Sequence, residues 1–385
     1  MYPVPGKEAL RPILTRATRG FADGVVSVML ASWLAGLGFS TVQIGTIVTA
    51  TLLGSAALTL SVGILGHRFG RRAVLLGASV LMVATGLGFW GVTSYWPLLA
   101  IAFLGTVNPS SGDVTLFLPT EQAVLADSTT PKNRTFYFAI YNLAGNVTGA
   151  LGALAAGIPG RMVFLLYAAL GVLVGLQYLG LPKAGEIAIS AAPLQKSRNV
   201  VMRLSLLFCL DSFGGGFFVQ SLLALWLYRR FHLSVEQAGA FFFAVGILNA
   251  ASQFFSSKVA ARIGHVRTMV YTHLPASLLM ILAGCMPTLP LAVALLLIRS
   301  LISQMDVPAR QAYVMAVVPP EERAAASSVT NVPRALASAI SPVIAGALLD
   351  ASSFGWPLII GGLMKAAYDL FLFRSFSQLK PLDEA

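Results

Sequence analysis

The chain has 385 residues, of which 56% are hydrophobic and 11% charged, and its mean hydropathy is +0.78. A soluble protein carries roughly a quarter charged residues, so this composition excludes an ordinary soluble enzyme and a disordered protein. The net charge of +11 does not indicate nucleic-acid binding, because the cations lie in short clusters between long apolar runs. The composition is that of an integral membrane protein.

Twelve apolar stretches are candidate membrane spans, because a helix of about 20 residues crosses about 30 Å of hydrocarbon. They cover roughly 13–37, 42–65, 73–93, 96–126, 134–158, 161–181, 200–228, 235–257, 266–286, 289–317, 324–349 and 354–375. The predicted fold class is therefore an all-α membrane protein. Most Lys and Arg residues, including Arg16 and Arg19 near the start of the first span, are assigned to the side of the two termini. Since positively charged loops stay in the cytoplasm, we expect both termini there and the chain in the cell inner (plasma) membrane.

A short motif recurs 189 residues later in the chain, which indicates an internal duplication. Residues 119–123 read Pro-Thr-Glu-Gln-Ala, and residues 308–312 read Pro-Ala-Arg-Gln-Ala. Nearer each start, Asp23 corresponds to Asp211. Parallel repeats of this kind are typical of secondary transporters, whose substrate site lies between the halves. We predict an N-terminal six-helix bundle over 1–181, a cytoplasmic linker over 182–199 and a C-terminal six-helix bundle over 200–385.

The loop after the second span, residues 63–72, reads Gly-Ile-Leu-Gly-His-Arg-Phe-Gly-Arg-Arg. It resembles the G-x-L-x-D-R-x-G-R-R signature of the major facilitator superfamily, with His67 where that family has Asp. The resemblance implies twelve helices that work by alternating access, and a cytoplasmic gate formed by Gly63, His67, Arg68, Gly70, Arg71, Arg72, Asp127 and Arg134. From the residues alone, the loop arginines would set topology and contact anionic lipid, and Gly70 would allow a tight turn.

Ten charged side chains are assigned to the membrane interior near the bilayer centre, where each charge costs at least about 2.5–3.5 kcal/mol. The acids are Asp23, Asp113, Glu121, Asp211, Asp306 and Asp369, and the bases are Arg299, Arg310, Arg334 and Lys365. If every base pairs with an acid, two carboxylates remain, and an unpaired buried carboxylate can bind and release protons. We therefore predict proton coupling through Asp23, Asp211, Asp113 and Glu121, with Asp23 as the favoured carrier.

Polar side chains at helical spacing on the tenth and eleventh spans form two stripes. In the superfamily that the chain resembles, the first, fourth, seventh and tenth helices line the central cavity. Arginines there can hold an anionic group through paired hydrogen bonds. We expect substrate contacts from Arg299, Asp306, Arg310, Arg334, Asn142 and Asn331. The alternative is that these charges form salt bridges that hold the bundles in register and touch no substrate.

Two specific ion pairs are expected within this set. Lys365 and Asp369 stand four residues apart on one helix face and are expected to neutralise one another. Glu121 and Arg310 occupy equivalent positions of the two repeats with opposite charge, so a bridge between the halves is plausible.

The backbone of three spans carries further expectations. Pro308 predicts a bend in the tenth span. Three consecutive glycines at 214–216 predict a discontinuity in the seventh span. Gly145 and Gly149 form a small-residue face that predicts a close helix contact by the fifth span.

These features together predict a transporter and not an enzyme. The four histidines lack the spacing of metal ligands, and no catalytic or phosphate-binding motif is found, so we expect no metal and no cofactor. The favoured function is proton-coupled efflux of a small organic solute by antiport. The alternatives are a proton-coupled importer or facilitator of an organic or phosphorylated anion, and a non-transporting ligand sensor with a transporter fold. The expected partners are a small-molecule substrate, protons and membrane lipid, with no nucleic acid, and the chain is expected to be a monomer.

Overall fold

The computed structural model describes residues 7–65, 69–109, 115–129, 131–158, 160–181, 195–319 and 322–377. Within these residues the chain forms fifteen α-helices and a 3₁₀ turn, with no β-strand. The helices of the first half are α1 (Lys7–Gly36), α2 (Thr41–Leu65), α3 (Arg71–Gly91), α4 (Tyr95–Leu104), α5 (Leu118–Asp127), α6 (Pro131–Leu154) and α7 (Met162–Leu179). Those of the second half are α8 (Arg198–Gly216), α9 (Gln220–Phe231), α10 (Val235–Ile263), α11 (His265–Cys285), α12 (Leu289–Ser303), α13 (Asp306–Ala316), α14 (Arg323–Ala351) and α15 (Trp356–Phe376).

Ten segments of the described chain are long and apolar enough to cross a membrane. The predicted twelve spans also include α1, which carries several charges, and a fourth span that begins with the ten-residue helix α4. Nine predicted spans are single helices, whereas the fourth, seventh and tenth are each built from two helices. The prediction of one continuous helix over 96–126 is therefore wrong.

Each break has a local cause. After α4 the backbone at Gly105 is extended, and a Cβ there would lie 2.6 Å from the Thr85 side chain, so the chain turns where only glycine fits. The expected bend at Pro308 is found as a break between α12 and α13, since its ring would clash with the carbonyl of Gln304 in a continuous helix. The expected discontinuity after the glycines at 214–216 is confirmed, because α8 ends at Gly216 and α9 begins at Gln220.

The same helix pairs pack together in each half. In the first half α1 packs on α6, α3 on α7 and α2 on α4. The equivalent helices of the second half repeat this pattern, with α8 on α14, α11 on α15 and α10 on α12. The chain therefore folds as two bundles of one architecture in parallel orientation.

The two halves meet closely at the end of the bundle where α1 ends and α2 begins, here called the far end. A Cβ on Gly45 would lie 2.4 Å from the Pro342 carbonyl oxygen, and one on Gly346 would lie 2.3 Å from that of Thr41. Thr41 also donates a hydrogen bond to Asp350 (2.9 Å). These contacts join α2 of the first half to α14 of the second.

The buried apolar residues divide differently at the two ends. One large cluster contains residues of both halves, and the second half contributes to it around its far end, as with Trp226 and Leu349. At the opposite end, where the described chain starts and finishes, the second half has its own cluster around Phe208 and Tyr313. A further separate cluster around Tyr141 belongs to the first half. The halves thus share a core at the far end and have separate cores at the end of the termini.

The described end of the linker is anchored to the second half by one carboxylate. Glu322 is buried and accepts hydrogen bonds from the Ser197 hydroxyl and from the backbone N–H groups of Gln195, Lys196 and Ser197. The Ser197 hydroxyl, followed by these amides, lowers the pKa of Glu322 to about 2. This anchor is fully present above the ordinary pKa of Glu and is lost as the pH falls towards the lowered value.

The expectation that Gly70 permits a tight turn is wrong. Gly70 precedes α3 with φ −60° and ψ 144°, and the space beside its Cα is open. Any residue adopts this extended conformation, so the glycine is not required by the backbone. His67 and Arg68 lie outside the described residues.

The expected close contact of α6 is confirmed by its packing against α1. A Cβ on Gly20 would lie 2.5 Å from the Gly145 carbonyl oxygen, and one on Gly24 would lie 2.0 Å from that of Gly149. Real Cβ atoms do not approach so closely, so the two backbones depend on the glycines.

We expect Gly24→Ala to lower the thermal unfolding midpoint of the purified protein in detergent. The added methyl would overlap the Gly149 carbonyl, and overpacking of this kind costs about 1–3 kcal/mol. Gly77→Ala is the matched control, because Gly77 lies inside α3 with nothing within 4 Å of its Cβ position. Alanine there should keep or raise the midpoint. Equal effects of the two substitutions would contradict the close contact.

Candidate functional site

The first half contains a buried carboxylate with four partners. Glu121 on α5 pairs with Arg19 of α1 and accepts hydrogen bonds from the hydroxyls of Tyr141 and Tyr178. Thr15, one turn before Arg19, donates a further hydrogen bond to Glu121 (2.9 Å). Glu121 has no exposed surface, and its partners come from helices α1, α6 and α7.

The expectation that Arg19 and Arg16 belong to the exposed cations on the side of the termini is wrong. They are only 2% and 3% exposed, within α1. Arg19 also donates to the Thr115 hydroxyl (3.2 Å) and lies over the Phe117 ring at 4.3 Å. The counter-charge of Glu121 offsets the cost of burying Arg19, and a rule that counts loop cations does not detect such a pair.

Asp23 lies one helical turn beyond Arg19 and is 6% exposed. No other residue of the described ranges forms a hydrogen bond or ion pair with it. It lines a small cavity between the helices that has both polar and apolar walls. The other polar side chains are Arg19, Ser55, Thr106, Thr115 and Tyr167, and the apolar ones are Leu58, Met82, Leu116 and Phe117. Its backbone is held by the contacts of Gly20 and Gly24 with α6. Asp113, the neighbouring candidate, lies outside the described residues.

The second half contains a larger network centred on Asp211 of α8. The Asp211 carboxylate is 2.6 Å from Nζ of Lys365, 3.3 Å from Nη1 of Arg310 and 3.5 Å from Nε2 of His273. The same Arg310 atom lies 3.1 Å from the Asp306 carboxylate. Asp211 therefore joins α8 to α11, α13 and α15.

Two expected ion pairs are wrong. Lys365 pairs with Asp211, whereas Asp369 lies 2.9 Å from Nδ1 of His273. Glu121 pairs with Arg19 of its own half, and Arg310 pairs with Asp211 and Asp306 of its own half. Helical spacing brings Lys365 and Asp369 near one another, but α8 and α11 offer each of them a partner on a neighbouring helix.

His273 is a site residue that the analysis of charged residues missed. It is 4% exposed and stands between the two carboxylates, on α11. A count of formal charges does not find it, because a neutral histidine carries none. The available signal was its position inside the ninth predicted span, away from any loop.

Arg299 and Arg334 stand at the edge of this network and are partly exposed. Arg334 donates to the Ser212 hydroxyl (3.0 Å) and to the Asn331 side chain (3.5 Å). Arg299 lies 5.4 Å from the Phe218 ring, and its Nε is buried without a hydrogen-bond partner. Among the described residues, neither guanidinium has a carboxylate oxygen within 4 Å.

The remaining predicted residues lie apart from these networks or cannot be described. Asn142 is exposed on α6, and Asn331 is exposed on α14 beside Arg334. Of the predicted gate, Gly63 lies in the last turn of α2, and Arg71 and Arg72 begin α3. The side chains of Asp127 and Arg134 are outside the described set.

The pairing of helices in two similar halves agrees with a comparison to known families. A family model for the Major Facilitator Superfamily matches residues 13–282 and 204–384. The chain belongs to the Major Facilitator Superfamily. This confirms the resemblance in the loop after the second span, and it supports a role in membrane transport.

One protein of similar sequence is an uncharacterized membrane protein of Saccharomyces cerevisiae. It is 25% identical, over 91% of this chain and 89% of the yeast protein. Among solved structures, the nucleoside transporter NupG has a TM-score of 0.76 at 14% identity, covering 96% of this chain and all of that one. The inward-open xylose transporter XylE of E. coli has a TM-score of 0.75 at 16% identity, covering 98% of each chain. These likenesses show the fold of this superfamily member.

We expect Glu121→Gln to lower the thermal unfolding midpoint strongly. The substitution leaves the buried Arg19 without its ion-pair partner, and breaking a buried pair in this way costs about 3–5 kcal/mol. Glu236→Gln is the control, because Glu236 is exposed in the first turn of α10. Midpoints that fall equally, or not at all, for the two variants would contradict a structural role for the Glu121 network.

Proposed function

We propose that this chain is an alternating-access secondary transporter that binds a small organic anion in its second half and couples its movement to protons. The observation that carries the proposal is the pair of arginines, Arg299 and Arg334, which have no ion-pair partner among the described residues. This function is the first alternative of the sequence analysis, a proton-coupled importer or facilitator of an organic or phosphorylated anion. Export by proton antiport, the favoured one there, stays a prediction.

Charge balance supports an anionic substrate. The second-half site holds Arg299, Arg310, Arg334 and Lys365 against the carboxylates of Asp211, Asp306 and Asp369. Cations therefore exceed carboxylates by one when His273 is neutral. Arg299 and Arg334 are also the partly exposed members, whereas the carboxylates are buried. A guanidinium with free donors is suited to bind a carboxylate or phosphate group through two hydrogen bonds.

The division of the apolar core supports alternating access. The halves share a core at the far end and have separate cores at the end of the termini. This arrangement matches one conformational state of a carrier whose two halves rock about a central substrate site. With both termini in the cytoplasm, as the sequence predicts, this state opens to the cytoplasm.

Asp23 is the proposed proton carrier of the first half. It is buried, and it faces a small cavity without a hydrogen-bond partner among the described residues. Glu121 is less suited to this role, because Arg19 and three hydroxyls hold its charge in place. Asp211 is likewise held by Lys365 and Arg310.

The anion site is tested by thermal-shift measurements on the purified full chain. The probes are benzoate, succinate and glucose 6-phosphate as anions, uridine and xylose as neutral solutes, and tetraphenylphosphonium as a cation. We expect at least one anion to stabilise the protein and Arg334→Gln to abolish this effect. Arg203→Gln is the control, since Arg203 is exposed on α8. Stabilisation by the cation alone would overturn the anion proposal and favour export of lipophilic cations.

Proton coupling is tested with the stabilising anion in proteoliposomes. A pH gradient should drive flux of that anion by the unmodified protein, and Asp23→Asn should reduce this flux at least tenfold. Exchange of labelled for unlabelled anion at equal pH should persist in the variant, because it needs no net movement of protons. Gradient-driven flux that survives Asp23→Asn would remove Asp23 from the mechanism. Measuring both directions of the gradient also tests import against export.

A further inference from the structure

Six ionisable side chains of the second half are buried in mutual contact. They are Asp211, His273, Asp306, Arg310, Lys365 and Asp369, and none is more than 8% exposed. Three of them are carboxylates, and only two carry a permanent positive charge. Counted without the partly exposed Arg299 and Arg334 at its edge, this buried network is short of one positive charge when His273 is neutral.

An unbalanced charge in a low-dielectric interior is costly, so the network favours one further proton. His273 is placed to receive it. Its Nδ1 lies 2.9 and 3.0 Å from the two carboxylate oxygens of Asp369, and its Nε2 lies 3.5 Å from Asp211. The only cation in direct contact with the ring, among the described residues, is Lys365, with Nζ 3.4 Å from Nε2.

We propose that these six residues form a one-proton site, in which the proton is held on the imidazole of His273 between Asp369 and Asp211. The inference rests on the proposed function, for which it supplies the proton site of the second half. The proton comes from water and returns to water, and no other bond is made or broken. Asp211, the repeat equivalent of Asp23, is then an acceptor for which Lys365 and the protonated His273 ring compete.

The two states of the ring make different contacts. In neutral His273, Nδ1–H donates to Asp369 and the free Nε2 faces the Lys365 ammonium. In protonated His273, Nε2–H donates to Asp211, and the positive ring repels Lys365. The proton therefore makes His273 compete with Lys365 for the same Asp211 oxygen, because both approach Oδ1.

This exchange of partners occurs beside a break in the transmembrane helix. Asp211 lies in the last two turns of α8, before the interruption at 217–219. A Cβ on Gly214 would lie 3.2 Å from Cγ of Lys365, and one on Gly215 would lie 3.7 Å from Nζ. The Lys365 side chain therefore lies beside the glycines that precede the break. Two other titratable groups border the network: Tyr368, whose ring lies 5.8 Å from the His273 ring, and Arg334, which donates a hydrogen bond to Ser212 beside Asp211.

The test uses the small number of histidines in the full chain, which are His67, His232, His265 and His273. NMR of the protein labelled with ¹³C-histidine, in lipid nanodiscs between pH 5 and pH 9, reports the protonation of each ring without any substrate. His273→Gln assigns its signal by loss. Should that variant fail to fold, single substitutions of the other three histidines assign His273 by elimination.

We expect the His273 ring to gain one proton within this range. Asp369→Asn should weaken proton binding at His273 by roughly tenfold or more, and Lys365→Met should strengthen it by a similar factor, as expected for charges within about 4 Å. His265→Gln, two turns away on α11, should leave the step unchanged. A His273 signal that stays in one protonation state throughout, or that ignores both Asp369→Asn and Lys365→Met, would overturn the inference.

The outcomes separate this inference from the proposed function. If no probe is transported in proteoliposomes but His273 titrates as described, the proposed function fails and the proton site stands. If anion flux is driven by a pH gradient but the His273 ring does not titrate, the function stands and this proton site is overturned.

Discussion

The constraint on which the structure depends is the cost of placing charges in a low-dielectric interior. Each half meets this cost with its own residues, since every ion pair between described residues joins groups of one half, as with Arg19 and Glu121 or Lys365 and Asp211. The contacts between halves at the far end are close backbone approaches and hydrogen bonds such as Thr41 to Asp350. The halves can therefore separate there without breaking a buried ion pair, which would cost several kcal/mol.

The two repeats keep the same helix packing but distribute charge differently. Asp23 and Asp211 occupy equivalent positions, yet Asp23 faces a small cavity and Asp211 is held by two cations. Position 121 carries a carboxylate bound by Arg19, whereas the equivalent Arg310 holds two carboxylates. The two repeats thus share one scaffold. The first half has a compact site in which the charges balance, whereas the second half has a network with one cation too few in its centre and additional cations at its edge.

Hydropathy and the internal repeat were enough to predict the spans and the parallel halves, because both depend on local composition. The glycines at 145, 149 and 214–216 also predicted their local geometry, since backbone contact and helix breaks follow from a missing side chain. Pairing could not be predicted in the same way. Whether Lys365 meets Asp369 or Asp211 depends on which helix packs beside α15, and Arg16 and Arg19 count as loop cations until α5 is seen to supply Glu121.

The proposed proton and the proposed anion act on one electrostatic network. Asp211 lies next to His273, and its neighbour Ser212 accepts a hydrogen bond from Arg334. A proton on His273 adds positive charge beside the arginines and so strengthens anion binding there. By reciprocity a bound anion strengthens proton binding to the same extent. Carrier states with only the anion or only the proton bound are then disfavoured relative to the empty and doubly loaded states. A carrier with this linkage moves the two ligands together, so the geometry argues for anion and proton travelling in the same direction.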